Sequence, residues 1–401
     1  MANTEKMKII KSLFFVLLIT ALIPFSGKNQ SINSIGSEFK HWAQTPPMGW
    51  NSWDCYGPTV EEHEVKANAN YMAKYLKKSG IHIMRGIPKI AVDRKLPVKG
   101  TNGITADQIY STENLCQWLS DNYTVAAGKP GSQEYYNSIF DLYAQWGVDF
   151  IKIDDLSAPF YHKDEIEMIR KAIDQCGRPI VLSTSPGATP IEDAEHVSKN
   201  ANMWRMVNDV WDTWPHIRNL FDVCRKWYPY ISPGAWPDCD MIPLGRLSIR
   251  GEVGKDRPTR LTKVEQYTLM TLFTIFRSPL FFGGDLPSND EFTLSLLTNE
   301  EVMRMHQESS GTRLLFQQDG KVAITSKNNK TQETYLALFN ISETPDVEVT
   351  VNLADLGFTG PVKITNLWNV GKTVDFSGIF AQKIAPHASG LYKISASKKL
   401  D

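Results

Sequence analysis

The segment Phe150-Ile151-Lys152-Ile153-Asp154-Asp155 constrains the fold more than any other part of this 401-residue sequence. It is an apolar run of β-forming residues that contains one lysine and ends in two carboxylates. Continuous apolar runs are typical of parallel strands buried on both faces, and packing gives no reason for charge at the end of such a strand. In a (β/α) barrel the carboxyl ends of the strands form the functional face. The segment therefore predicts both a barrel and the position of its reactive groups.

Short apolar segments alternate with amphipathic helical segments from about residue 46 to residue 305, which is typical of a parallel βα fold. The helical segments carry start signals, such as the capping-box pair Thr262 and Glu265. Seven strands are predicted, one fewer than a closed barrel has, and the gap falls near Ser79, where a helix runs almost directly into the next strand. The predicted strands are Met48–Trp53, Gly80–Met84, Asp149–Asp154, Pro179–Thr184, Asn202–Val207, Tyr230–Gly234 and Ser278–Phe282.

The pattern changes after about residue 310, where short, mostly alternating segments are separated by turn residues such as Asp319-Gly320. Alternation of this kind indicates antiparallel strands, and their spacing predicts a β-sandwich. We therefore predict a signal peptide and linker over 1–34, a (β/α)8-type TIM barrel that lacks one β/α unit over 35–310, and a C-terminal antiparallel β-sandwich over 311–401.

Residues 1–34 have the pattern of an export signal. Three lysines precede an apolar run over 12–25, and the small residues Ser26 and Gly27 follow it. The run is shorter than the ~20 residues that span a membrane. We expect cleavage, no stable membrane insertion afterwards and a periplasmic or secreted protein. An uncleaved anchor is the alternative.

Composition excludes several classes of partner and cofactor. The net charge of -1, without any basic run, argues against nucleic acid. The five cysteines leave at least one thiol unpaired, and no Cys/His cluster has zinc spacing, so we expect no metal site and no cofactor. Nothing in the sequence indicates a particular oligomeric state.

Acidic residues follow three of the predicted strands. Paired carboxylates across a barrel mouth can hydrolyse glycosidic bonds, because one attacks the anomeric carbon while the other protonates the leaving oxygen. A Schiff base on the strand lysine is the rival chemistry, which a neighbouring carboxylate disfavours by keeping the lysine protonated. For any one acid alone, a salt bridge or a helix cap is the simpler interpretation. The acids and their basic neighbours are Asp154 with Lys152, Asp209 with Arg205, and Asp238 and Asp240 in the segment 233–241.

The segment 45–53 (TPPMGWNSW) resembles the opening of glycoside hydrolase family 27, the α-galactosidase family. Further motifs of that family follow in the same order over most of residues 45–310, and the C-terminal part resembles the family's β-sandwich. They are GIHIMRGIP at 80–88, residues 149–155, LSTSPGAT at 182–189, residues 204–209, residues 233–241 and FRSPLFFGGDL at 276–286. The resemblance implies a retaining exo-glycosidase that removes terminal α-D-galactosyl residues from oligosaccharides or glycoconjugates by double displacement.

The same resemblance implies a role for individual residues. Asp154 is expected to be the nucleophile and Asp209 the general acid/base. The expected sugar contacts are Trp50 as a pocket wall, Lys152, Arg205 and Asp240 as ligands of hydroxyl groups, and Ser183 and Ser185 as residues that shape specificity. Asp155, Asn208 and Asp238 are expected to be structural. Cys116 matches a family cysteine, but its usual partner position holds Leu156, so that disulfide is not expected.

One departure from the family pattern affects the expected activity. Family members carry a further strand, an acid-bearing loop and a helix before the GIHIMRG strand, and those acids bind galactose hydroxyls. Here Lys78-Ser79-Gly80 leads directly into Ile81, so the unit is missing. We predict reduced or absent activity on simple α-galactosides. The alternatives are a β-L-arabinopyranosidase or an isomalto-dextranase of the same family, or a catalytically impaired glycan-binding protein.

Overall fold

The computed structural model describes residues 32–73, 80–343, 345–369 and 373–397. The predicted export signal lies almost entirely outside them. Residues 36–401 form one compact unit that contains every described α-helix and strand. Within the described part of the chain, no helix has the combination of length and apolarity that crossing a bilayer requires.

Parallel strands form the inner layer of the first domain. Strands β2 to β6 make a five-stranded sheet in chain order, and a second sheet has the order β1-β8-β7. The chain passes from β6 to β7 through only two residues, so the two sheets are neighbours along the chain. The strands are β1 (Met48–Trp50), β2 (Gly80–Met84), β3 (Phe150–Asp154), β4 (Val181–Thr184), β5 (Met203–Arg205), β6 (Trp236–Asp238), β7 (Met241–Ile242) and β8 (Leu280–Phe282).

The barrel is not closed by hydrogen-bonded strand pairing among the described residues. Pairing is absent between β6 and β7, which only two residues connect, and between β1 and β2, which are the other outer strands of the two sheets. We call the β1–β2 break the open side of the barrel. Six residues, 74–79, lie along the chain between Ala73 of the preceding helix and Gly80 of β2. A strand with its crossover helix needs about 30 residues. The strand order therefore agrees with the predicted absence of one β/α unit.

Helices and short turns connect the strands and cover the sheets. The α-helices are α1 (Trp53–Tyr56), α2 (Glu62–Ala73), α3 (Lys89–Asp93), α4 (Ser132–Gln145), α5 (Lys163–Gln175), α6 (Ala194–Asn200), α7 (Trp214–Trp227), α8 (Lys263–Phe276), α9 (Glu291–Leu297) and α10 (Glu300–Glu308). The 3-10 helices are Ile32–Ala43, Gly57–Thr59, Ala106–Gln108, Ile191–Asp193, Tyr228–Tyr230, Leu286–Ser288 and Leu353–Leu356. The predicted capping box at the start of α8 is confirmed, since the side chains of Thr262 and Glu265 each accept the other's backbone N–H.

Two small antiparallel sheets interrupt the barrel pattern. One is built from Ile87–Pro88, Tyr110–Ser111 and Asn122–Val125, and the other from Arg246–Leu247 and Arg257–Pro258. The first lies in the long connection between β2 and α4, where the chain leaves the parallel sheet before it returns at β3.

The C-terminal region is the predicted antiparallel β-sandwich. One sheet has the order β9-β10-β11-β16-β13-β14, and the other pairs β12 with β15. Its strands are β9 (Ser310–Gln318), β10 (Lys321–Lys327), β11 (Thr334–Asn340), β12 (Val347–Asn352), β13 (Val362–Asn366), β14 (Thr373–Phe376), β15 (Ile379–Ile384) and β16 (Ser389–Ala396). The ring centroids of Phe221 in α7 and Phe339 in β11 are 5.0 Å apart, within a hydrophobic core that the barrel and the sandwich share.

The predicted strand over Tyr230–Gly234 is wrong. Ser232 and Ala235 are bridged across a turn, Pro233 has no backbone N–H, and Gly234 has a φ of 78°. A strand cannot continue through that combination. The strand is β6, which begins two residues after Gly234 and places Asp238 at its carboxyl end.

Candidate active site

The carboxyl ends of β3 to β6 meet at one rim of the barrel. Strand register aligns Ile153 with Thr184, Thr184 with Trp204, and Arg205 with Asp238. Because neighbouring parallel strands end on the same side, the residues at these ends share one face of the domain. The register therefore brings the predicted acids and bases of the three strand ends to a common edge.

Asp154 is the last residue of β3, and its carboxylate is held by a residue that the sequence reasoning did not single out. Nε2 of His82 in β2 lies 2.9 Å from Asp154 Oδ2. Burial would raise the pKa of Asp154, but the His82 hydrogen bond and the Lys152 charge outweigh burial and lower this pKa to about 2. Ser185 also lowers it, although its hydroxyl falls short of hydrogen-bond geometry. Asp154 is therefore ionised at neutral pH.

The other carboxylate oxygen of Asp154, Oδ1, has different surroundings from Oδ2. Oδ1 is buried and has no hydrogen-bond partner among the described residues. A buried carboxylate oxygen without a donor is costly. No donor among the described residues competes for its lone pairs, which is one condition that a nucleophilic oxygen must meet.

The interior below the rim is filled. The rings of Phe150 and Phe281 have centroids 5.3 Å apart, and the cavity beside them, which Lys152, Ser183 and Asp240 also line, has a volume of about 10 Å³. That volume holds about one water molecule. A sugar ring would have to bind above it, at the rim.

Arg205 joins the other two acidic positions. Its guanidinium is 1% exposed and lies 2.9 Å from Asp209 Oδ1 and 2.7 Å from Asp240 Oδ1. The second contact is an ion pair that lacks hydrogen-bond alignment. Burial would lower the pKa of Arg205, but these two acids and Asp238 outweigh burial and raise it, so Arg205 remains a cation. One buried positive charge therefore contacts both Asp209, four residues after the end of β5, and Asp240 in the β6–β7 connection.

Asp209 and Asp240 differ in environment. The Asp209 side chain is 44% exposed, whereas that of Asp240 is 1% exposed. Burial raises the pKa of Asp240 to about 7, although Arg205 opposes the shift. Oδ2 of Asp240 accepts a 2.7 Å hydrogen bond from the Val210 N–H. Asp209 is the accessible acid, and Asp240 is held inside.

Ser183, Ser185 and Trp50 complete the predicted set. Both serines are fully buried, and their hydroxyls have no hydrogen-bond partner among the described residues. Trp50 ends β1, and its indole N–H donates a 2.9 Å hydrogen bond to the carbonyl of Gly284. The indole is therefore fixed at the open side of the barrel, next to β8.

Asp54 is a second residue that the sequence reasoning missed, and its carboxyl lies beside this group. Asp54 in α1 is fully buried, and neither side-chain oxygen has a hydrogen-bond partner among the described residues. Burial, Asp240 and Asp209 raise its pKa well above the ordinary value. The available signal was its position directly after the opening motif. For His82 the signal was one polar residue in an otherwise apolar strand segment.

Asp155 is structural, as expected. Arg85 contacts the carboxylates of Asp155 and Glu165, each at 2.8 Å, and all three side chains are at most 3% exposed. The Arg85 side chain also donates to the carbonyl of Asp155, and its backbone N–H donates to the carbonyl of Asp154. The Tyr136 hydroxyl donates to Glu165. This network, the Arg85 cluster (Arg85, Tyr136, Asp155 and Glu165), holds the end of β3 in place.

Comparison with known proteins identifies the family. The family model "Alpha galactosidase A" matches residues 107–308, and the model of the alpha galactosidase C-terminal beta sandwich domain matches residues 319–394. The chain is 26% identical to alpha-galactosidase A of Cellvibrio japonicus, over 71% of this chain and 73% of that protein. It is 24% identical to alpha-galactosidase 2 of Arabidopsis thaliana, over 89% and 91%.

A solved structure is more similar. The GH27 β-L-arabinopyranosidase of Geobacillus stearothermophilus is 43% identical, covers 90% of this chain and 99% of its own, and superposes with a TM-score of 0.86. The match covers nearly the whole of both chains, so it includes both the barrel and the sandwich. The protein therefore belongs to glycoside hydrolase family 27 and is a glycoside hydrolase.

Proposed function

We propose that this protein is a retaining exo-glycosidase that hydrolyses terminal α-D-galactosyl residues of oligosaccharides or glycoconjugates. The observation that carries the proposal is the state of Asp154. One of its oxygens is held by His82, the other is free of donors among the described residues, and its pKa is lowered to about 2. An ionised, oriented carboxylate at a barrel rim is the nucleophile that double displacement requires.

In the first step, Asp154 Oδ1 attacks the anomeric carbon as the bond to the leaving oxygen breaks. Asp209 transfers its proton to that oxygen, which departs as an alcohol, and the sugar remains as an ester on Asp154. Asp209 suits this role because its side chain is 44% exposed, within reach of a leaving group at the mouth.

In the second step, Asp209 removes a proton from water, and the resulting hydroxide attacks the anomeric carbon. The ester bond to Asp154 breaks, and the sugar leaves with its original anomeric configuration. Arg205 and Lys152 supply positive charge around the ring hydroxyls. The contact between Arg205 and Asp240 forms before the substrate binds, so little reorganisation of these two side chains is needed during the reaction.

A β-L-arabinopyranosidase is the second candidate. It is favoured by the 43% identity to the Geobacillus enzyme, compared with 24–26% for the two alpha-galactosidases. A β-L-arabinopyranoside presents the galactose ring without its hydroxymethyl group. The open edge between β1 and β2 lies where the missing unit would supply hydroxyl-binding acids, so activity on simple α-galactosides is expected to be reduced.

The test compares kcat/KM on p-nitrophenyl α-D-galactopyranoside and p-nitrophenyl β-L-arabinopyranoside. NMR of the first anomer released establishes retention or inversion. Preference for the arabinoside selects the second candidate. Preference for an isomalto-oligosaccharide selects an isomalto-dextranase, and sugar binding without turnover selects a glycan-binding protein.

Two variants test the assigned roles. Asp154→Ala is expected to lose at least about 10³-fold in kcat and to regain turnover with azide, which replaces the carboxylate. Asp209→Ala is expected to lose about 10²–10⁴-fold on a poor leaving group and much less on dinitrophenyl glycosides, which need no proton. Asp222→Ala is the matched control, because Asp222 is also 44% exposed and also pairs with an arginine four residues earlier. Equal losses of kcat in Asp154→Ala, Asp209→Ala and Asp222→Ala would contradict the roles assigned to Asp154 and Asp209.

The location of the protein is part of the same proposal. The lysines and apolar run of residues 1–34 support export to the periplasm or the outside of the cell, where an exo-glycosidase meets oligosaccharides. Fractionation of cells that express the full chain tests it, and retention of the mature protein in the cytoplasm would contradict it.

A further inference from the structure

Two buried thiols lie next to each other beneath the loop that carries Asp240. Sγ of Cys224 in α7 is 3.7 Å from Sγ of Cys239, and both residues are fully buried. Cys239 lies between β6 and β7, directly between Asp238 and Asp240. The two sulfurs therefore link a barrel helix to the connection that holds the Arg205 ion pair.

The other cysteines have different surroundings. Cys55 donates its thiol proton to the carbonyl of Gly283 at 3.0 Å, and Cys176 donates to the carbonyl of Ile173 at 3.1 Å. Cys116 is partly exposed and lies near Asp155. All five thiols are free in the structure. Cys224 and Cys239 are therefore the one pair whose sulfurs already touch.

We propose that Cys224 and Cys239 are a disulfide-forming pair, which becomes cross-linked when the chain folds in the presence of a small-molecule disulfide. The thiolate of one cysteine attacks the oxidant, for example glutathione disulfide, and releases one glutathione thiol. The thiolate of the other cysteine then attacks the mixed disulfide and releases the second. Two cysteine S–H bonds become one S–S bond, and the two protons end on the two glutathione thiols.

The geometry requires only a short movement. A disulfide bond is about 2.05 Å long, so the sulfurs must approach by less than 2 Å from their 3.7 Å separation. The Cys239 backbone is fixed during this movement, since its N–H donates a 2.9 Å hydrogen bond to the Ser278 hydroxyl. Rotation of the Cys224 side chain on a rigid helix is the smaller change.

Burial determines when the bond can form. The pKa of Cys239 is raised well above its ordinary value, first by burial and then by Cys224. A buried thiol that is not ionised reacts slowly. Oxidation is therefore expected during folding, while both sulfurs are exposed to solvent. Once the protein has folded, burial in the core protects the disulfide from reduction.

The cross-link would stiffen the site without entering it. It closes a loop of about 15 residues, which restricts the unfolded chain, and a rise of a few degrees in Tm is expected for a protein of this size. The connection that carries Asp240 would be tied to α7, outside the sugar-binding rim. Reduction of the disulfide is therefore expected to lower Tm by a few degrees and to change KM little. This effect is independent of which sugar the enzyme accepts.

The test uses the full chain, unfolded and refolded either with reduced and oxidised glutathione or with dithiothreitol alone. Free thiols are then alkylated in denaturant and the peptides mapped without reduction. The expected result is one cross-link between the peptides that contain Cys224 and Cys239, with Cys55, Cys116 and Cys176 alkylated. Five alkylated cysteines after oxidative refolding, or a cross-link between other cysteines, would overturn the proposal.

Variants provide a second measurement. Cys224→Ser and Cys239→Ser are each expected to abolish the difference in Tm between oxidative and reductive refolding, whereas Cys176→Ser is expected to keep it. If a serine variant fails to fold, the alkylation map of the unmutated chain still shows whether Cys224 and Cys239 form a disulfide. An unchanged Tm difference in a folded Cys224→Ser variant would contradict the assignment.

Discussion

Nε2 of His82 lies 2.9 Å from Oδ2 of Asp154, across two hydrogen-bonded parallel strands. His82 in β2 is in register with Lys152 in β3, so its ring reaches diagonally to the residue two positions further along. The histidine is 35% exposed because β2 is the outer strand of its sheet at the open side of the barrel. His82, which holds the proposed nucleophile, therefore lies beside the position of the missing barrel unit.

Removal of this contact should change the pH dependence of the reaction. The nucleophile must be ionised, so activity exists above the pKa of Asp154 and is lost as the pH falls through it. His82 lowers that pKa, and His82→Phe should therefore move the acid limb of kcat/KM to higher pH. A rate loss of roughly 10-fold near neutral pH is also expected from the lost hydrogen bond.

Two variants accompany this measurement. His82→Gln can still donate an N–H and should keep the acid limb near its original position. His63→Phe changes a histidine whose side chain is 76% exposed, and it should leave the profile unchanged. An acid limb that does not move in His82→Phe would show that the contact does not control Asp154.

Arg85 should be essential for stability. Arg85→Met leaves the carboxylates of Asp155 and Glu165 buried without their cation, which costs roughly 3–5 kcal/mol. Urea denaturation should show this loss in the free energy of unfolding. Arg94→Met changes an exposed arginine and should cost less than about 0.5 kcal/mol. A similar small loss for Arg85→Met would contradict the role of the Arg85 cluster.

Asp155 should make stability fall as the pH rises from about 4 to about 6. Burial raises its pKa to about 6 from the ordinary 3.8, even though Arg85 opposes the shift. The folded chain then holds a proton that the unfolded chain releases in this window, so each unit of pH lowers the free energy of unfolding by up to about 1.4 kcal/mol.

Asp155→Asn should reduce that slope, because asparagine does not titrate. Denaturation midpoints at several pH values between 4 and 7 measure it, with Asp222→Asn as a surface control. A slope identical to that of the unmutated protein would show that another group is responsible.

Gly283 should be intolerant of a side chain because of Asp54. A Cβ at Gly283 would stand 2.2 Å from Asp54 Oδ2 and 2.9 Å from its Cγ, and Asp54 is fully buried. Gly283→Ala should therefore cost about 1–3 kcal/mol, whereas Gly360→Ala, where a Cβ meets open space, should cost little.

A double-mutant cycle attributes the cost to this pair. An Asp54→Ala background removes the contacts at 2.2 and 2.9 Å and leaves only the Cβ of residue 54, at 3.2 Å. Gly283→Ala should therefore cost at least about 1 kcal/mol less there than it does alone. Additive losses would assign the cost to the backbone at Gly283 instead.

The sequence by itself determined the architecture and the acidic strand ends. Apolar runs that end in charge, as at Asp154, are local patterns, and so is the alternation after residue 310. The short connection before Gly80 predicted the open barrel for the same reason. The predicted count of seven strands missed β7, which follows β6 after only two residues and therefore adds a strand without a further β/α unit. The segment 230–234 was misassigned because its apolar residues fit a strand, whereas Pro233 and Gly234 form a turn.

Only the tertiary structure decided which side chains meet. The His82–Asp154 contact depends on strand register, and the adjacent sulfurs of Cys224 and Cys239 depend on how α7 packs against the β6–β7 connection. The burial of Asp54 depends on a glycine more than 200 residues away in the chain. Periodicity specifies which face a residue occupies, but contacts between distant segments follow from packing, which no local pattern encodes.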